Sequence, residues 1–580
     1  MMKRDWWKGK IRNLTIALGS LIFIFFIVST GKIRAVKSAE ADETASLPPL
    51  TDSVCCSLPF INDTLCVVHD PAKSLQPFIN GLKELRAGKD TVINIIHLGD
   101  SHIQAGFLSG QTMRMLQTTF GNAGRGWIAP FKLSKANEPN DYFISSNIRE
   151  WIVGRCIQSS PKCPWGIGGI GIQTSAPKID FNLVIAPNNG AGYSFNKVLL
   201  YRDRNAMPMA PSPHYSDSIL ALSWGEGLCE DIAVDTFVTA GLLDTFKLTG
   251  IGLDKDIVKN NGSHNSLYYG FMLLNGFPGI LYHSIGVNGA RFVDYTNRNY
   301  IRQLALLKPS LLIVSLGTNE SFGRQFGKEQ FRSQVDAFIQ LVKEELPETA
   351  LLITTPAESY KRAYKNKKRY YVRNDNIAKV ADALTSYTRE KGIACWDLFS
   401  ITGGNNSCKN WFEAGMFGRD RIHFSSKGYG EQGVLLYKAL IRSCMDSETG
   451  NDIIMANTDM ENLSAEDIII SGFADPDSEQ DSFPDINDNS ESFEDSFEDI
   501  TETELESETE STEEILTNEK LTEEKLIKTG TEKRDAKREN NEKSPAENPV
   551  TEEMQSPERN VKINAATGEK TVAKEVQDVE

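Results

Sequence analysis

Short apolar runs alternate with helically spaced apolar positions in two stretches of the chain, residues 90–121 and 281–446. Val92–Leu98 (VINIIHL) is a β-rich run ending in Gly99-Asp100-Ser101, and residues 108–120 then read as a helix. Ile280–Ile285 resumes the pattern, and Leu311–Leu316 (LLIVSL) reads as a buried strand. Phe331, Val335, Phe338, Ile339 and Val342 recur at the spacing of one helix face. A strand at Ala350–Thr355, a helix at Ile377–Tyr387, a strand at Ile393–Leu398 and a closing helix at Tyr429–Ile441 complete the series. Strands alternating with helices predict an α/β fold, a parallel sheet with helices on both faces. Between 122 and 280 the helical period is missing. Phe181–Ile185, Lys197–Tyr201, Ile219–Trp224, Asp235–Thr239, Thr245–Thr249 and Tyr268–Leu274 are short β-like runs at near-regular spacing, which predict an inserted β-sandwich.

After about 446 the pattern dissolves. Residues 451–580 hold 12 Lys+Arg against 38 Asp+Glu, so the chain's net charge of −16 divides into −26 there and +10 in the first 450 residues. A segment this polar cannot bury enough apolar surface to offset its ordering entropy, and 447–580 is expected to be a disordered acidic tail. The near balance of the remainder lacks the electrostatic footprint of a nucleic-acid binder. Composition also excludes a mainly disordered protein, a collagen and a multi-span membrane protein.

At the N-terminus, Lys3, Arg4, Lys8, Lys10 and Arg12 precede an apolar run from Leu14 to Val28. A basic start before an apolar core is how an export signal reads. The run is long for a signal core and short for a membrane span. Basic Lys32, Arg34 and Lys37 follow, and Ser38-Ala39 is a weak cleavage site. Residues 1–37 are thus expected to be a signal peptide or an anchor in the membrane at 14–30. The protein would be periplasmic or cell-surface, meeting the membrane only through this segment. Residues 38–89 form a separate N-terminal segment. Nine Cys fit an exported chain; Cys156 and Cys163 are spaced to close a short loop, and no CxxC pair points to a metal.

Four blocks carry chemistry. Gly99-Asp100-Ser101-His102 places a Ser at a strand-to-helix turn, where backbone N–H groups face a developing oxyanion. Gly286-Val287-Asn288-Gly289-Ala290 follows a strand, and a Gly there lets a reacting group approach a bare N–H. Gly317-Thr318-Asn319-Glu320 presents an amide donor. Asp420-Arg421-Ile422-His423 supplies an imidazole and a carboxylate to orient it. The seven His show no metal-ligand spacing, so no metal is expected.

These blocks resemble the SGNH hydrolases, or GDSL esterase/lipase family, over about residues 90–445. The resemblance implies a flavodoxin-like sheet and no cofactor. It makes Ser101 the nucleophile, His423 and Asp420 its base and orienter, and Gly289 and Asn319 oxyanion donors. His102 stands where the family has Leu. That GDSH block, with a β insertion between blocks one and two, resembles the peptidoglycan O-acetylesterase branch, whose insertion resembles a carbohydrate-binding module. The resemblance implies domain pieces at 90–121 and 281–446 around an inserted 122–280. The expected function is that of an exported serine esterase acting on an O-acyl, chiefly O-acetyl, group of a cell-wall or other polysaccharide or peptidoglycan. The alternatives are an O-acyltransferase using the same residues and a non-catalytic glycan-binding protein. Tyr360–Arg373 holds seven basic residues and four Tyr; it reads as a charged loop and helix start flanking the cleft, or as a contact for an acidic glycan.

Overall fold

The computed structural model describes residues 50, 58–187, 192–225, 231–251, 265–323, 325–365 and 368–446. The N-terminal segment expected to be a signal or anchor, the segment expected to be an acidic tail, and Cys55, Cys56 and Cys229 lie outside these residues.

The central sheet has six strands: β1 (Val68–His69), β2 (Val92–Gly99), β3 (Gly279–Gly286), β4 (Leu311–Ser315), β5 (Ala350–Thr354) and β6 (Ala394–Trp396). They lie in the order β1-β6-β5-β4-β2-β3. All neighbouring pairs are parallel except β1 with β6. The five parallel strands therefore have the doubly wound order 2-1-3-4-5 when numbered from β2, and the crevice between β2 and β4 is where such sheets bind ligands. The α/β expectation holds. Strand periodicity sorts the core into two faces. Ile95, Ile313 and Leu352 pack with the helices Phe107–Phe120 and Ser426–Asp446. Ile96, Leu98, Leu312, Val314 and Ile353 pack with Lys328–Glu345 and Asn376–Lys391.

Two elements were not foreseen in the 38–89 segment. The helix Gln76–Arg86 buries Phe78, Ile79, Leu82 and Leu85. Burial of such side chains contributes roughly 1.5–3 kcal/mol each, which seats this helix against the sheet. Strand β1 extends the far edge by pairing with β6.

The region between Gly126 and Leu274 forms two antiparallel sheets, of seven and four strands. Their inner faces meet through Phe181 against Phe271 (centroids 5.4 Å) and Tyr268 (5.1 Å), and Phe237 against Phe246 (5.9 Å). Both ends of this sandwich meet at edge strand β3. Asn122 bridges to Ile280, and the Trp127 N–H donates to His283 Nδ1 at 3.1 Å. The proposed Cys156–Cys163 closure is corrected: both are buried free thiols. The loop needs no such clamp, since strand Ile152–Arg155 already pairs with Ile170–Thr174 across it.

Candidate active site

The C-terminal ends of β2, β3 and β4 converge on Ser101. The Asp100 side chain caps the short helix Ser101–Gln104 by accepting from the His102 N–H at 2.9 Å. This helix packs directly on β3: a Cβ on Gly286 would lie 2.3 Å from Gln104 N and 2.6 Å from Asp100 O. Only glycine permits that approach. The first hydrogen-bonded turn after β2 thereby holds Ser101 at the sheet edge, half-buried.

His423 Nε2 lies 2.8 Å from Ser101 Oγ, and its Nδ1 lies 2.6 Å from Asp420 Oδ2. Asp420 Oδ1 also accepts from the N–H groups of Ile422 and His423, both at 3.0 Å. Three residues in one turn thus orient a base toward a serine 322 positions away. Burial opposes the Asp420 charge, but the hydrogen bond and charge of His423 and the two N–H bonds outweigh it and hold the carboxyl at about 2. Burial pushes His423 down, while the bond to Asp420 and its charge push it up; the net direction is upward from 6.5. The fixed carboxylate assigns the Nδ1 proton, leaving Nε2 as the acceptor.

Asn319 joins blocks one, two and three. Its Nδ2 donates to Asp100 Oδ2 at 3.1 Å and to Ala290 O at 3.0 Å. Both amide protons are therefore engaged without substrate. Gly289 has φ +81 and open space where a Cβ would stand. The turn that holds it is closed by Ala290 N donating to Val287 O at 3.0 Å. Among the described residues, the N–H groups of Gly289 and Ser101 have no backbone acceptor outside the helices and strands.

His102 is not placed as a base. Its Nδ1 lies 2.8 Å from the Tyr429 hydroxyl, and burial pushes it down to about 3, so it stays neutral. Its ring lies beside that of His423, tilted by 38° with centroids 5.2 Å apart. His97 and His283 are buried core residues, also pushed to about 3 by burial.

Three participants were given no role by the sequence, although Asp100 and Glu320 stand within the blocks. Asp100, pushed up to about 7 by burial, faces Asn319. Gln104 Oε1 accepts from Asn288 N at 2.8 Å, while its Nε2 donates to Asn137 O at 2.9 Å, linking the second block to the sandwich. Glu320 accepts from Phe292 N at 2.9 Å. A single Gln or Glu in a one-turn helix carries no period, and its partners are distant in sequence. Tyr360–Arg373 is corrected from a loop and helix start to an antiparallel hairpin, Tyr360–Lys365 with Lys368–Arg373. Its Tyr and Arg alternate at period two, which the density of charge hides.

Residues 250–430 match the GDSL-like Lipase/Acylhydrolase family model, which spans Gly289, Asn319, Asp420 and His423 but not Ser101. With the sheet order and the site, this match defines an ester-hydrolysing enzyme with an SGNH-type acylhydrolase domain. Among solved structures, "Peptidoglycan O-acetylesterase in action, 5 min" matches at 20% identity and a TM-score of 0.52, over 65% of this chain and 99% of that one. The chain shares that fold. An acetyl esterase mutant with acetate ion matches at 16% identity and TM-score 0.22, over 30% of this chain and 75% of that one. The carbohydrate esterase family 3 structure from Talaromyces cellulolyticus gives the same four values. No curated protein matches in sequence.

Proposed function

We propose that this chain is an exported serine esterase that removes O-acetyl groups from a cell-wall polysaccharide through an acyl-enzyme. The observation that carries the mechanism is the Asp420–His423–Ser101 relay, at 2.6 and 2.8 Å. The Ser101 oxygen attacks the ester carbonyl as His423 Nε2 takes its proton. The backbone N–H groups of Ser101 and Gly289 receive the developing oxyanion, with Asn319 joining them as the oxyanion competes with Asp100 for its amide proton. His423 gives the proton to the departing sugar oxygen, which leaves as a hydroxyl. Water then attacks the acyl carbon as it gives a proton to the same imidazole; the bond to Ser101 breaks, its oxygen takes that proton back, and acetate leaves. Support for the polysaccharide comes from the fold shared with the O-acetylesterase and from a sandwich that reaches Gln104 through Asn137. Support for export comes from the basic and apolar N-terminus.

Purified protein is expected to release acetate from O-acetylated peptidoglycan or acetylated xylan, at a rate that an added sugar acceptor does not divert into transfer. Acetate appearing only on an acceptor sugar would replace hydrolysis by transfer. No release from any glycan would remove the polysaccharide from the proposal.

The pH profile follows from His423. The imidazole must be neutral to take the Ser101 proton, and its folded value lies above 6.5. Activity is therefore lost as pH falls through that value. A kcat/KM profile on p-nitrophenyl acetate is expected to rise with a single-proton limb whose midpoint exceeds 6.5. A midpoint well below 6.5 would mean that Asp420 does not hold the proton on the ring.

A further inference from the structure

The turn that follows β3 is held by hydrogen bonds on both sides of Gly289. Val287 N donates to Gly99 O at 3.2 Å, Asn288 N to Gln104 Oε1 at 2.8 Å, and Ala290 N to Val287 O at 3.0 Å. Ala290 O accepts in turn from Asn319 Nδ2. Gly289 stands between the second and third of these donors, and its own N–H has no backbone acceptor outside the helices and strands. An oxyanion donor works best when it is aimed before charge develops, because a donor that must reorient during the reaction gives back part of its stabilisation. The bonds of Val287 and Ala290 join backbone to backbone. The bond on Asn288, the residue before Gly289, depends on a side chain.

That side chain is Gln104, the last residue of the one-turn helix that begins at Ser101, and it is only 3% exposed. A glutamine amide can turn either its oxygen or its nitrogen toward Asn288. The choice is made at its other end, where Nε2 donates to the backbone carbonyl of Asn137 at 2.9 Å. Turning the amide over would set two donors against each other at Asn288 and two acceptors against each other at Asn137. Asn137 belongs to the inserted region, in the connection between the strands Gly126–Ile128 and Tyr142–Ser146. The Tyr142 hydroxyl donates to Ala129 O at 3.0 Å and Arg155 donates to Ser134 O, which fix this connection on the sandwich side. On the catalytic side it is pressed against the segment after Gln104: a Cβ on Gly106 would lie 2.8 Å from Pro139 Cβ. A continuous path therefore leads from the sandwich, through one buried amide, to the residue before the oxyanion donor.

We propose that Gln104, oriented by the Asn137 carbonyl, is a positioning residue that aims the Gly289 N–H at the oxyanion, which makes the inserted region part of the catalytic apparatus. The proposal rests on the esterase function above and goes beyond it in assigning a task to the insertion that does not depend on the substrate. Glutamine suits the task because one side chain must accept from a backbone N–H and donate to a backbone carbonyl at the same time. An apolar side chain does neither, and a carboxylate does only the first.

The test compares the full-length wild-type protein with two variants. Gln104→Met keeps the length of the side chain and loses both bonds. Gln104→Glu, assayed at alkaline pH where its carboxyl is ionised, keeps an acceptor for Asn288 and needs no carbonyl to orient it. Gln104→Met is expected to lower kcat on p-nitrophenyl acetate about 10–100-fold, the size of loss that a small misplacement of a catalytic group causes. KM and the melting temperature should change little. The inhibition constant of methyl trifluoromethyl ketone should rise by the same factor as kcat falls. Ser101 adds to that carbonyl carbon, its proton passes to His423, and the carbonyl oxygen becomes the oxyanion, so the adduct reports oxyanion stabilisation without turnover. Gln104→Glu should recover most of the lost kcat. Wild-type kcat in Gln104→Met, a loss of kcat with an unchanged inhibition constant, or a Gln104→Glu as slow as Gln104→Met would each overturn the proposal and leave the esterase intact. Amide hydrogen exchange followed by NMR in the wild-type protein needs no variant. Slow exchange at Asn288 and fast exchange at Gly289, slowed once the ketone binds, is the expected result; Asn288 exchanging as fast as Gly289 would overturn the proposal. Absence of p-nitrophenyl acetate turnover by the wild-type protein would overturn the esterase reading and this proposal together.

Discussion

Ser101→Ala leaves a folded protein whose hydrolysis of p-nitrophenyl acetate falls to near the background rate, a loss on the order of 10⁴–10⁶ in kcat. The substitution removes one oxygen from a half-buried turn and leaves the Asp100 cap and the Gly286 contact in place. Folding should therefore survive, and the melting temperature is the check. Without that oxygen no acyl-enzyme forms. His423→Ala should cost nearly as much, because nothing else among the described residues lies at 2.8 Å to take the Ser101 proton. The double variant should be little worse than either single one, since residues that act as a unit are non-additive. His102→Ala is the control. Its ring lies 5.2 Å from that of His423 and bonds the Tyr429 hydroxyl, so its removal should cost far less than loss of His423. A comparable loss would transfer the base to His102.

Asp420→Asn should lower kcat by about 10⁴ while KM changes little. The carboxylate accepts from His423 Nδ1 at 2.6 Å, and an amide there can present its N–H instead. The imidazole would then carry its proton on Nε2, facing Ser101, where it cannot act as a base. Loss of the carboxylate also leaves burial as the dominant influence on His423, so any residual activity should titrate at lower pH than in the wild type. Retained activity with an unshifted acid limb would show that another group orients the ring.

The fold was legible wherever burial follows a local period. Val92–Leu98 and Leu311–Leu316 are predominantly apolar, rather than alternating, because strands of a parallel sheet are covered on both faces. The chemistry was legible because each block stands at a strand end or before the last helix, where it is local in sequence. Three kinds of feature were not. Strand β1 has two residues, and its only reason to exist is a partner more than 300 positions away. Strands Tyr142–Ser146 and Ile152–Arg155 lie among Gly, Pro and polar residues, so tertiary pairing rather than propensity sets them. The second hydrogen bonds of the site, from Asn319 to Asp100 and from Gln104 to Asn137, join residues 219 and 33 positions apart. The helix Gln76–Arg86 is a different case: Phe78, Leu82 and Leu85 do recur at helical spacing, and the signal was present.

The most direct test of Ser101 as the nucleophile is peptide mass spectrometry after treatment with a fluorophosphonate, in which the attacking oxygen displaces fluoride and remains phosphonylated. The expected result is one adduct per chain on the peptide that contains Ser101, matched by complete loss of esterase activity, and no adduct in Ser101→Ala. A stoichiometric adduct on any other residue, or full turnover by Ser101→Ala, would contradict it.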